Sequence, residues 1–362
     1  MVSSPKAVSN PSRNRLGECG IHMIDPLKGD IWDEKTAGLE GCTIFHRSAW
    51  AKVLAETYGH RPFYLQIDLA DQQSSFVPLM EVESFVTGRR GISLPFSDFA
   101  GPISASVGEA PEIGSVLCRI ARERSWKYVE VRGNLARSGV LPVFRPYEQH
   151  QLDLRGGLDR VKDRVKPATR RAIRKALASE MVANVGAGAG LLDAFYKLHC
   201  QTRRRHGLPP QPISFFRAIK RHVLDQGLGI IVLASLGGNP VAGGVFFFSG
   251  RRALYKFGAS IKRYWGLRPN HLVMWKAIEG LVAQGCHLLD FGRTSVHDKG
   301  LKQFKESWAG ESARLEYHRF QSLPSEWVAS RSNPKEGHPL IFGYLPNTFN
   351  RIAGRFIYPH LD

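Results

Sequence analysis

The spacing of apolar and polar positions predicts two β-hairpins in this chain. Residues 62–85 and 229–250 each place a short polar turn between two apolar runs, which is typical of paired antiparallel strands. A segment whose apolar side chains recur at helical spacing precedes each hairpin, at residues 48–59 and 191–207. The order of helix and hairpin therefore occurs twice, which indicates an internal repeat.

A second helix and a closing strand follow each hairpin. In the first half, a helix from about Pro111 leads to YVEVR, which ends at Arg132. In the second half, a helix after Pro269 leads to HLLDFGR, which ends at Arg293, and each closing strand carries an acid before its arginine. The shared order predicts an α/β protein with mixed sheets and helices on their faces, rather than a doubly wound parallel sheet.

The repeat divides the chain into segments. We predict one domain at residues 20–154 and a second at 181–322, joined by a basic linker helix within 155–180. Residues 1–19 are rich in Ser, Pro, Asn and Arg, and we expect them to be disordered. The tail, residues 323–362, has aromatic and leucine residues between Pro and Gly, so it either packs on the body or lies on a membrane surface.

Composition indicates in which cellular compartment the protein is expected. The 362 residues are 43% hydrophobic, and no stretch approaches the ~18 consecutive apolar residues of a membrane-spanning helix. The first residues lack the apolar core of a signal peptide, so we expect a cytoplasmic protein. Five scattered cysteines show no C-x-x-C spacing, and we predict neither disulfides nor a metal site.

The net charge of +18 favours anionic partners without choosing among them. Nucleic acid, anionic lipid headgroups and phosphorylated substrates all remain candidates. Residues 155–175 concentrate this charge, with nine Lys and Arg against Asp159 and Asp163.

Several short motifs carry a family resemblance over about residues 46–320. They are FHRSAWAKVLAETYGHRPFYL, SLPFSDFAGP, LYKFGAS, RPNHLVMWKAIEGLVAQG and LLDFGRTSVHDKGLKQFKESWAG. Together they resemble FemAB-like peptidyltransferases and the related BioF2-like group of the GNAT acyltransferase superfamily. The D-F-G-R and F-K-x-S-W motifs are similar to FemAB-type proteins associated with exopolysaccharide and exosortase loci.

The resemblance implies two tandem GNAT-like domains and transfer of an acyl or aminoacyl group to an amine. The acceptor would be a phosphorylated or lipid-linked precursor of the cell envelope or of an exopolysaccharide. Acyl-CoA or aminoacyl-tRNA would serve as the donor, with no tightly bound cofactor. Contact with tRNA and peripheral contact with the inner membrane are further expectations.

Asp290 and Arg293 are the candidate catalytic residues. An alkyl amine with a pKa near ~10 must lose a proton before it attacks, and a carboxylate at the end of an apolar strand can accept that proton. Asp290 could do so or could orient Arg293; the alternative is a structural salt bridge or a turn cap. The guanidinium fork of Arg293 suits two oxygens of a phosphate or a carboxylate.

The helix that follows presents two lysines. At about 100° per residue, Phe304 and Trp308 share the face that docks on the body, while Lys305 lies at its border and Lys302 nearer solvent. Both lysines are candidates for substrate binding, with a solvated helix face as the alternative. For Trp308, core packing is the favoured interpretation.

A loop before the second-half helix is the candidate donor site. Arg263, Gly266 and Arg268 match only part of the R/Q-x-x-G-x-G/A pyrophosphate loop of acetyl-CoA-binding GNAT enzymes, because Arg268 replaces the last small residue. This departure speaks against ordinary coenzyme A binding. Backbone N–H groups at the helix start could still bind an anion, and Asn270 is a candidate donor contact or helix cap.

Five more residues are candidates for substrate binding. The resemblance places Ser97 and Asp98 in an acceptor groove, whereas a local turn is the alternative. Arg204 lies in a basic helix end that suits either a phosphorylated substrate or the helix dipole. Tyr255 and Lys256 lie on the strand after the second hairpin and are expected to face the cleft.

Two other functions stay open from the residues alone. One is an acyl-CoA-dependent N-acyltransferase. The other is a non-catalytic basic module that binds tRNA, other nucleic acid or anionic membrane through residues 155–175. H-E-x-x-H, G-x-S-x-G and Walker motifs do not occur.

Overall fold

The computed structural model describes residues 20–69, 73–104, 111–133, 135, 141–308, 311–329 and 341–361. The predicted disorder of residues 1–19 lies outside these residues. The strands are β1 (Ile21–Ile24), β2 (Arg61–Pro62), β3 (Tyr64–Asp68), β4 (Ser74–Val77), β5 (Met80–Ser84), β6 (Gly88–Ile92), β7 (Ile103–Ser104), β8 (Tyr128–Arg132), β9 (Arg145–Asp153), β10 (Val182–Gly186), β11 (Gly229–Leu236), β12 (Asn239–Ser249), β13 (Arg252–Ser260), β14 (Leu288–Ser295), β15 (Glu311–Gln321) and β16 (Glu326–Val328).

The helices occupy the segments between these strands. They are α1 (Ile31–Thr36), α2 (Ser48–Tyr58), α3 (Pro111–Glu123), α4 (Gly157–Arg164), α5 (Pro167–Leu177), α6 (Ala189–Arg205), α7 (Ile213–Ile219), α8 (Pro269–Ala283), α9 (Lys299–Trp308), α10 (Ile341–Tyr344) and α11 (Asn347–Ile357). Short 3₁₀ turns cover Ile44–His46, Lys262–Leu267 and Tyr358–His360, and a π turn covers Lys220–Leu224.

The second predicted hairpin is confirmed, and the first is divided between two sheets. β11 and β12 pair antiparallel around the turn at Gly237 and Gly238, where φ is +56° and +77°. In the first half, β3 pairs with β4, but β5 pairs with β6 in another sheet. Pro78 separates β4 from β5, and proline has no backbone N–H to donate to a ladder.

Within the described residues, the strands form one sheet of four and one of twelve. The small sheet has the order β1-β3-β4-β7. The large sheet has the order β10-β11-β12-β13-β14-β9-β15-β8-β6-β5-β2, with β16 beside β15. These mixed sheets with helices on their faces agree with the predicted fold class.

The two halves exchange strands at the centre of the large sheet. β9 belongs to the first half along the chain, yet it lies between β14 and β15 of the second half. In turn, β15 lies between β9 and β8. The exchange joins the halves into one sheet, so side chains from both converge where β9 and β14 meet.

Apolar helix faces cover the sheet. In α8, one face is buried, with Met274, Trp275, Ile278 and Leu281 at most 3% exposed. In α9, Trp308 is buried and Phe304 packs against the same core, as the helical spacing predicts. These packed helices hold the strand ends of the second half in place.

The basic linker forms two helices rather than one. α4 ends at Arg164 and α5 begins at Pro167. The residue before a proline disfavours the helical region, which explains the break. Val161 and Ile173 are buried, and the basic side chains Arg171 and Arg174 point to solvent.

The described part of the tail packs on the body, as expected from the first of the two alternatives. α11 contacts α6, and Tyr358 is buried. No helix in the described ranges combines the length and apolarity needed to span a bilayer.

Candidate functional site

An open cavity lies where β9, β13 and β14 meet the turn that follows β6. Its empty volume is about 420 Å³, part of which is open to solvent. The polar side chains that line it are Thr43, Asp98, Gln149, Arg252, Asp290 and Arg293, and the wall also includes the apolar residues Phe45, Phe99, Phe247, Leu254 and Leu315. The predicted catalytic pair therefore lies in one cavity.

A bulge in β14 directs Asp290 and Arg293 into this cavity. Asp290 is opposite Gln151 and Arg293 is opposite Gln149, with a register shift between them. Gly292 has φ of +70°, which an L side chain rarely adopts. The bulge adds a residue between the acid and the arginine, so both reach the cavity without pairing with each other.

Asp290 is a buried carboxyl held by amide donors. One oxygen accepts a hydrogen bond from the backbone N–H of Gly292 at 2.7 Å. The other accepts from the side-chain amides of Gln149 and of Gln151, the latter at 3.3 Å. Burial raises the pKa of Asp290, and these amide hydrogen bonds offset only part of that rise. A carboxylate with a raised pKa is a better proton acceptor than an ordinary aspartate.

Asp98 reaches the cavity from a strained turn of the first half. Leu94 and Phe96 have φ of 58° and 60°, a region that non-glycine residues seldom occupy. The Asp98 carboxylate receives a 2.8 Å hydrogen bond from Lys256 Nζ, and this lysine also donates to the carbonyl of Phe96 at 2.7 Å. The turn and β13 therefore hold Asp98 in a fixed position.

The charges around Asp98 decide its protonation. Burial raises its pKa, but the cations of Lys256 and Arg293 outweigh this effect and leave the pKa below its ordinary value. Burial lowers the pKa of Lys256, with Asp98 opposing. Asp98 is therefore a stable anion beside Asp290, whose pKa moves in the opposite direction.

Arg293 lies between aromatic rings and Asp98. Its guanidinium is 4.8 Å from the ring centroid of Tyr147 and 5.5 Å from that of Tyr317. It donates to the Tyr317 hydroxyl at 3.1 Å, and that hydroxyl donates to the Asp98 carbonyl at 2.7 Å. Burial opposes its charge, but Tyr317, Tyr147 and Asp98 raise the pKa of Arg293, so it stays a cation.

Lys305 stabilises the bulge from the side of α9. Its Nζ donates to the carbonyls of Gly292 and Arg293, both at 2.9 Å. Burial lowers the pKa of Lys305 to about 8, although Asp98 and Asp290 favour the charged form. The structure places this lysine behind the strand end, where it bonds to the backbone.

Four more predicted substrate-binding residues lie outside the cavity wall, as Lys256 and Lys305 do. Ser97 is buried and donates to the carbonyl of Leu94 at 2.5 Å, which is the local turn role. Tyr255 stacks on Phe246 with 5.0 Å between ring centroids. The other two pair on the surface: Lys302 Nζ with Glu148 at 2.6 Å, and Arg204 Nε with the Gly343 carbonyl at 3.3 Å.

The candidate donor loop forms the 3₁₀ turn Lys262–Leu267 before α8. Arg263 lies over the Tyr264 ring at 4.7 Å, and a Cβ at Gly266 would meet open space. The helix cap is Arg268, with φ of 63°, and it makes no side-chain capping bond. The alternative role of Asn270 as the helix cap does not hold, because Asn270 is the second residue of α8 and Arg268 is at the cap position.

The strands in front of this loop separate. β13 and β14 pair in parallel only from Arg252 to Leu254, opposite Leu288 to Asp290. Beyond this point β13 continues to Ser260 along β12, whereas β14 continues along β9. The two strands thus diverge beyond Leu254 and Asp290, both of which line the cavity.

The sequence prediction did not include several residues of the site. Gln149 and Gln151 hold Asp290, and Tyr147 lies under Arg293. These residues alternate along β9, which is the one available sequence signal. Tyr317 and Arg252 carried no comparable signal, because their strands reach the site through pairings distant in sequence.

One group of side chains has the spacing of a metal site. Ligand atoms of Glu148, His150 and Glu306 lie within 4.8 Å of one another, and neither ring nitrogen of buried His150 has a hydrogen-bond partner. However, Lys302 Nζ is 2.6 Å from Glu148 and 3.9 Å from Glu306. The carboxylates already have a cationic partner, so we assign no ion to this group.

The chain is similar to known acyltransferases of the GNAT fold. The family model of the acetyltransferase (GNAT) domain matches residues 164–306. No curated protein sequence matches the chain. A crystal structure of FemX superposes with a TM-score of 0.63 at 13% identity, covering 84% of this chain and 98% of that chain.

Two more solved structures share the fold. A tandem GNAT protein from the clavulanic acid biosynthesis pathway has a TM-score of 0.53 at 10% identity, covering 85% of this chain and 100% of that chain. The C-terminal DUF2156 domain of a protein named as a lysylphosphatidylglycerol synthetase, from Agrobacterium fabrum, has a TM-score of 0.50 at 13% identity, covering 74% and 86%.

These findings establish the fold and the general activity. The chain has a tandem GNAT-like fold with mixed sheets, and its matched domain makes it an acyltransferase.

Proposed function

We propose that the protein transfers an acyl or aminoacyl group to an amine of a cell-envelope or exopolysaccharide precursor. The observation that carries this proposal is the pairing of two carboxylates with opposite pKa shifts in one cavity, beside a permanent cation. With such a pair, the carboxylate with the raised pKa can act as the base, and the one with the lowered pKa can bind a positively charged substrate group. The site would lie in the cytoplasm, where activated donors are made.

Asp290 is the proposed general base. The acceptor ammonium gives its proton to the Asp290 carboxylate, and the free nitrogen attacks the carbonyl carbon of the donor ester or thioester. A C–N bond forms, the carbonyl electrons move to oxygen, and their return expels the donor alcohol or thiol. The attacking nitrogen, which is positively charged after the addition, gives its extra proton to the leaving oxygen or sulfur as the amide forms, and Asp290 releases its own proton to solvent. No covalent enzyme intermediate is needed.

Arg293 and Asp98 are proposed to position the substrates. Arg293 is a cation at the cavity wall, and its fork suits a phosphate of the precursor or of the donor. Asp98 is an anion that attracts the acceptor ammonium towards the base. Lys256 holds Asp98 and does not itself line the cavity.

The donor is proposed to enter where β13 and β14 diverge. The gap opens at Leu254 and Asp290 in the cavity wall, and the loop after β13 leads into α8, whose N-terminus favours negative groups such as phosphates. This geometry suits the arm of an acyl-CoA and is the observation in favour of an acyl-CoA-dependent N-acyltransferase. In this proposal Arg263, Gly266, Arg268 and Asn270 would contact the donor.

Aminoacyl-tRNA is the other proposed donor. The exposed arginines of α4 and α5 offer a basic surface for an RNA backbone. The fold shared with FemX and with the domain named for a lysylphosphatidylglycerol synthetase supports an aminoacyl donor and a lipid-linked acceptor.

A transfer assay tests the proposal. Purified protein is incubated with labelled acyl-CoA pools or aminoacyl-tRNA pools, together with lipid-linked sugar extracts. We expect label to appear in an amide that resists hydroxylamine, and Arg293→Ala is expected to abolish this transfer. Salt-sensitive RNA binding without transfer from any donor would instead identify a non-catalytic basic module.

A further inference from the structure

One face of α11 is fixed to the protein body. The Tyr358 hydroxyl, one residue past α11, donates to the carbonyl of Pro209 at 3.1 Å. Asn350 donates to the carbonyl of Phe342 in the neighbouring helix α10 at 2.7 Å, and α10 in turn contacts α6. At Gly354 the helix approaches so closely that a Cβ would lie 2.0 Å from the carbonyl oxygen of Pro210. These contacts recur at every fourth residue, so they set the rotation of the helix about its axis.

The opposite face of α11 exposes large apolar side chains. Phe349, Ile352 and Phe356 are 61%, 51% and 68% exposed. At about 100° per residue, these three positions fall within an arc of roughly 60°. When a packed helix exposes an apolar stripe to solvent, the stripe indicates a binding surface for another molecule or a membrane.

A second exposed apolar segment lies beside the end of this helix. Phe85 and Val86, in the turn between β5 and β6, are 92% and 63% exposed. The Phe85 ring is 4.8 Å from the ring of His360, and Ser84 bonds to the same histidine at 2.9 Å. Two segments distant in sequence therefore come together; we call Phe349, Ile352, Phe356, Phe85 and Val86 the tail face.

The positive charge near the tail face favours a negatively charged partner. Residues 341–361 contain no Asp or Glu. On α11, Arg355 lies about 60° from the edge of the apolar stripe, whereas Arg351 lies about 100° from it, with its guanidinium 5.6 Å from the ring centroid of Tyr196. The whole chain has a net charge of +18. Aromatic residues beside arginines on one helix side are the features of helices that lie in the interface of an anionic bilayer.

We propose that the tail face docks on a bilayer that contains anionic lipid. The apolar side chains enter the boundary between headgroups and acyl chains, Arg355 meets lipid phosphates, and Arg351 adds positive charge further round the helix. α11 lies along the surface and does not cross it. This docking does not depend on the transfer reaction, although it would bring the protein to lipid-linked acceptors.

Vesicle sedimentation with the full-length protein tests the proposal. The probes are vesicles of phosphatidylcholine alone and of phosphatidylcholine mixed with phosphatidylglycerol. We expect binding to the mixed vesicles, and a loss of more than about tenfold in the partition coefficient for the triple variant Phe349→Ser, Ile352→Ser, Phe356→Ser. Thermal unfolding and gel filtration of this variant verify its fold and oligomeric state.

A matched pair of charge variants sharpens the test. The double variant Arg351→Gln, Arg355→Gln removes two positive charges from α11. The control variant Arg171→Gln, Arg174→Gln removes two positive charges from α5. We expect the first pair to weaken binding several-fold more than the second. Unchanged binding by the folded triple variant, or loss only with the α5 pair, would overturn the proposal. Wild-type dimers that dissociate in the triple variant would assign the face to self-association instead.

Discussion

The closing strands of the two halves carry the same residue types in opposite roles. In β8, Glu130 accepts a 3.2 Å hydrogen bond from the Arg132 side chain and also pairs with Arg319 of β15. In β14, Asp290 accepts only amide hydrogen bonds, while Arg293 donates to a tyrosine. The first acid is neutralised inside the protein, whereas the second remains available to a substrate.

The backbone between acid and arginine accounts for this difference. Glu130 and Arg132 are two residues apart on a regular strand, so their side chains share one face and meet. Asp290 and Arg293 are three residues apart across a bulge at Gly292. One inserted residue thus converts a structural ion pair into two separate groups at a cavity.

Loss of the Asp290 charge should give the largest effect on activity. Asp290→Asn keeps the shape of the side chain but removes the proton acceptor, so we expect kcat to fall by roughly 10²–10⁴-fold. Single-turnover transfer with the donor found active is the measurement. Since burial raises the pKa of Asp290, the acidic limb of the wild-type rate should lie above the ordinary aspartate pKa of about 3.9.

The same substitution in the first half should affect stability instead. Glu130→Gln leaves the guanidiniums of Arg132 and Arg319 without their buried carboxylate, which is expected to cost about 3–5 kcal/mol of unfolding free energy. Denaturant unfolding measures this cost. Activity per folded molecule should stay near wild type; a loss comparable to that of Asp290→Asn would contradict the separation of roles.

The pH dependence of stability tests Lys305 behind the bulge. Burial lowers its pKa to about 8 from 10.5, so the folded protein binds fewer protons than the unfolded chain between these values. The unfolding free energy contributed by this group therefore rises with pH from about 8 to 10.5, by up to about 3 kcal/mol. Unfolding curves of wild type and Lys305→Met should differ in this slope, and equal slopes would show that the lysine is not buried as described.

A glycine pair tests the bulge with the smallest expected effect. Gly292→Ala forces a side chain to φ of +70° and places its Cβ 3.3 Å from the Asp98 carboxylate. Gly285→Ala meets φ of +75° with open space around it. Both should lose about 1–2 kcal/mol of stability, but we expect reduced transfer from Gly292→Ala alone. Equal activity of the two variants would remove the bulge from the mechanism.

Local pattern was sufficient to predict most elements and two of the central side chains. The hairpin β11–β12, the buried face of α8 and the docking of Trp308 follow from periodicity, because burial on one face imposes period two on strands and 3.6 on helices. Asp290 and Arg293 stood out because they are polar residues at the end of an apolar strand. Pro167 also marks the break between α4 and α5 in the sequence, but the prediction of one basic helix across residues 155–180 did not take it into account.

Tertiary structure alone decided which charges meet. Asp98 and Lys256 are 158 residues apart, and their contact depends on the exchange of β9 and β15 between the halves. Composition gives each carboxylate the same ordinary pKa, whereas burial and neighbouring cations move the two pKa values apart. The sequence by itself therefore determined the repeated elements and their buried faces, because these depend on neighbours along the chain. Strand register and the bulge decided which acid is paired and which is free to act, because electrostatic energy depends on distances between residues far apart in sequence.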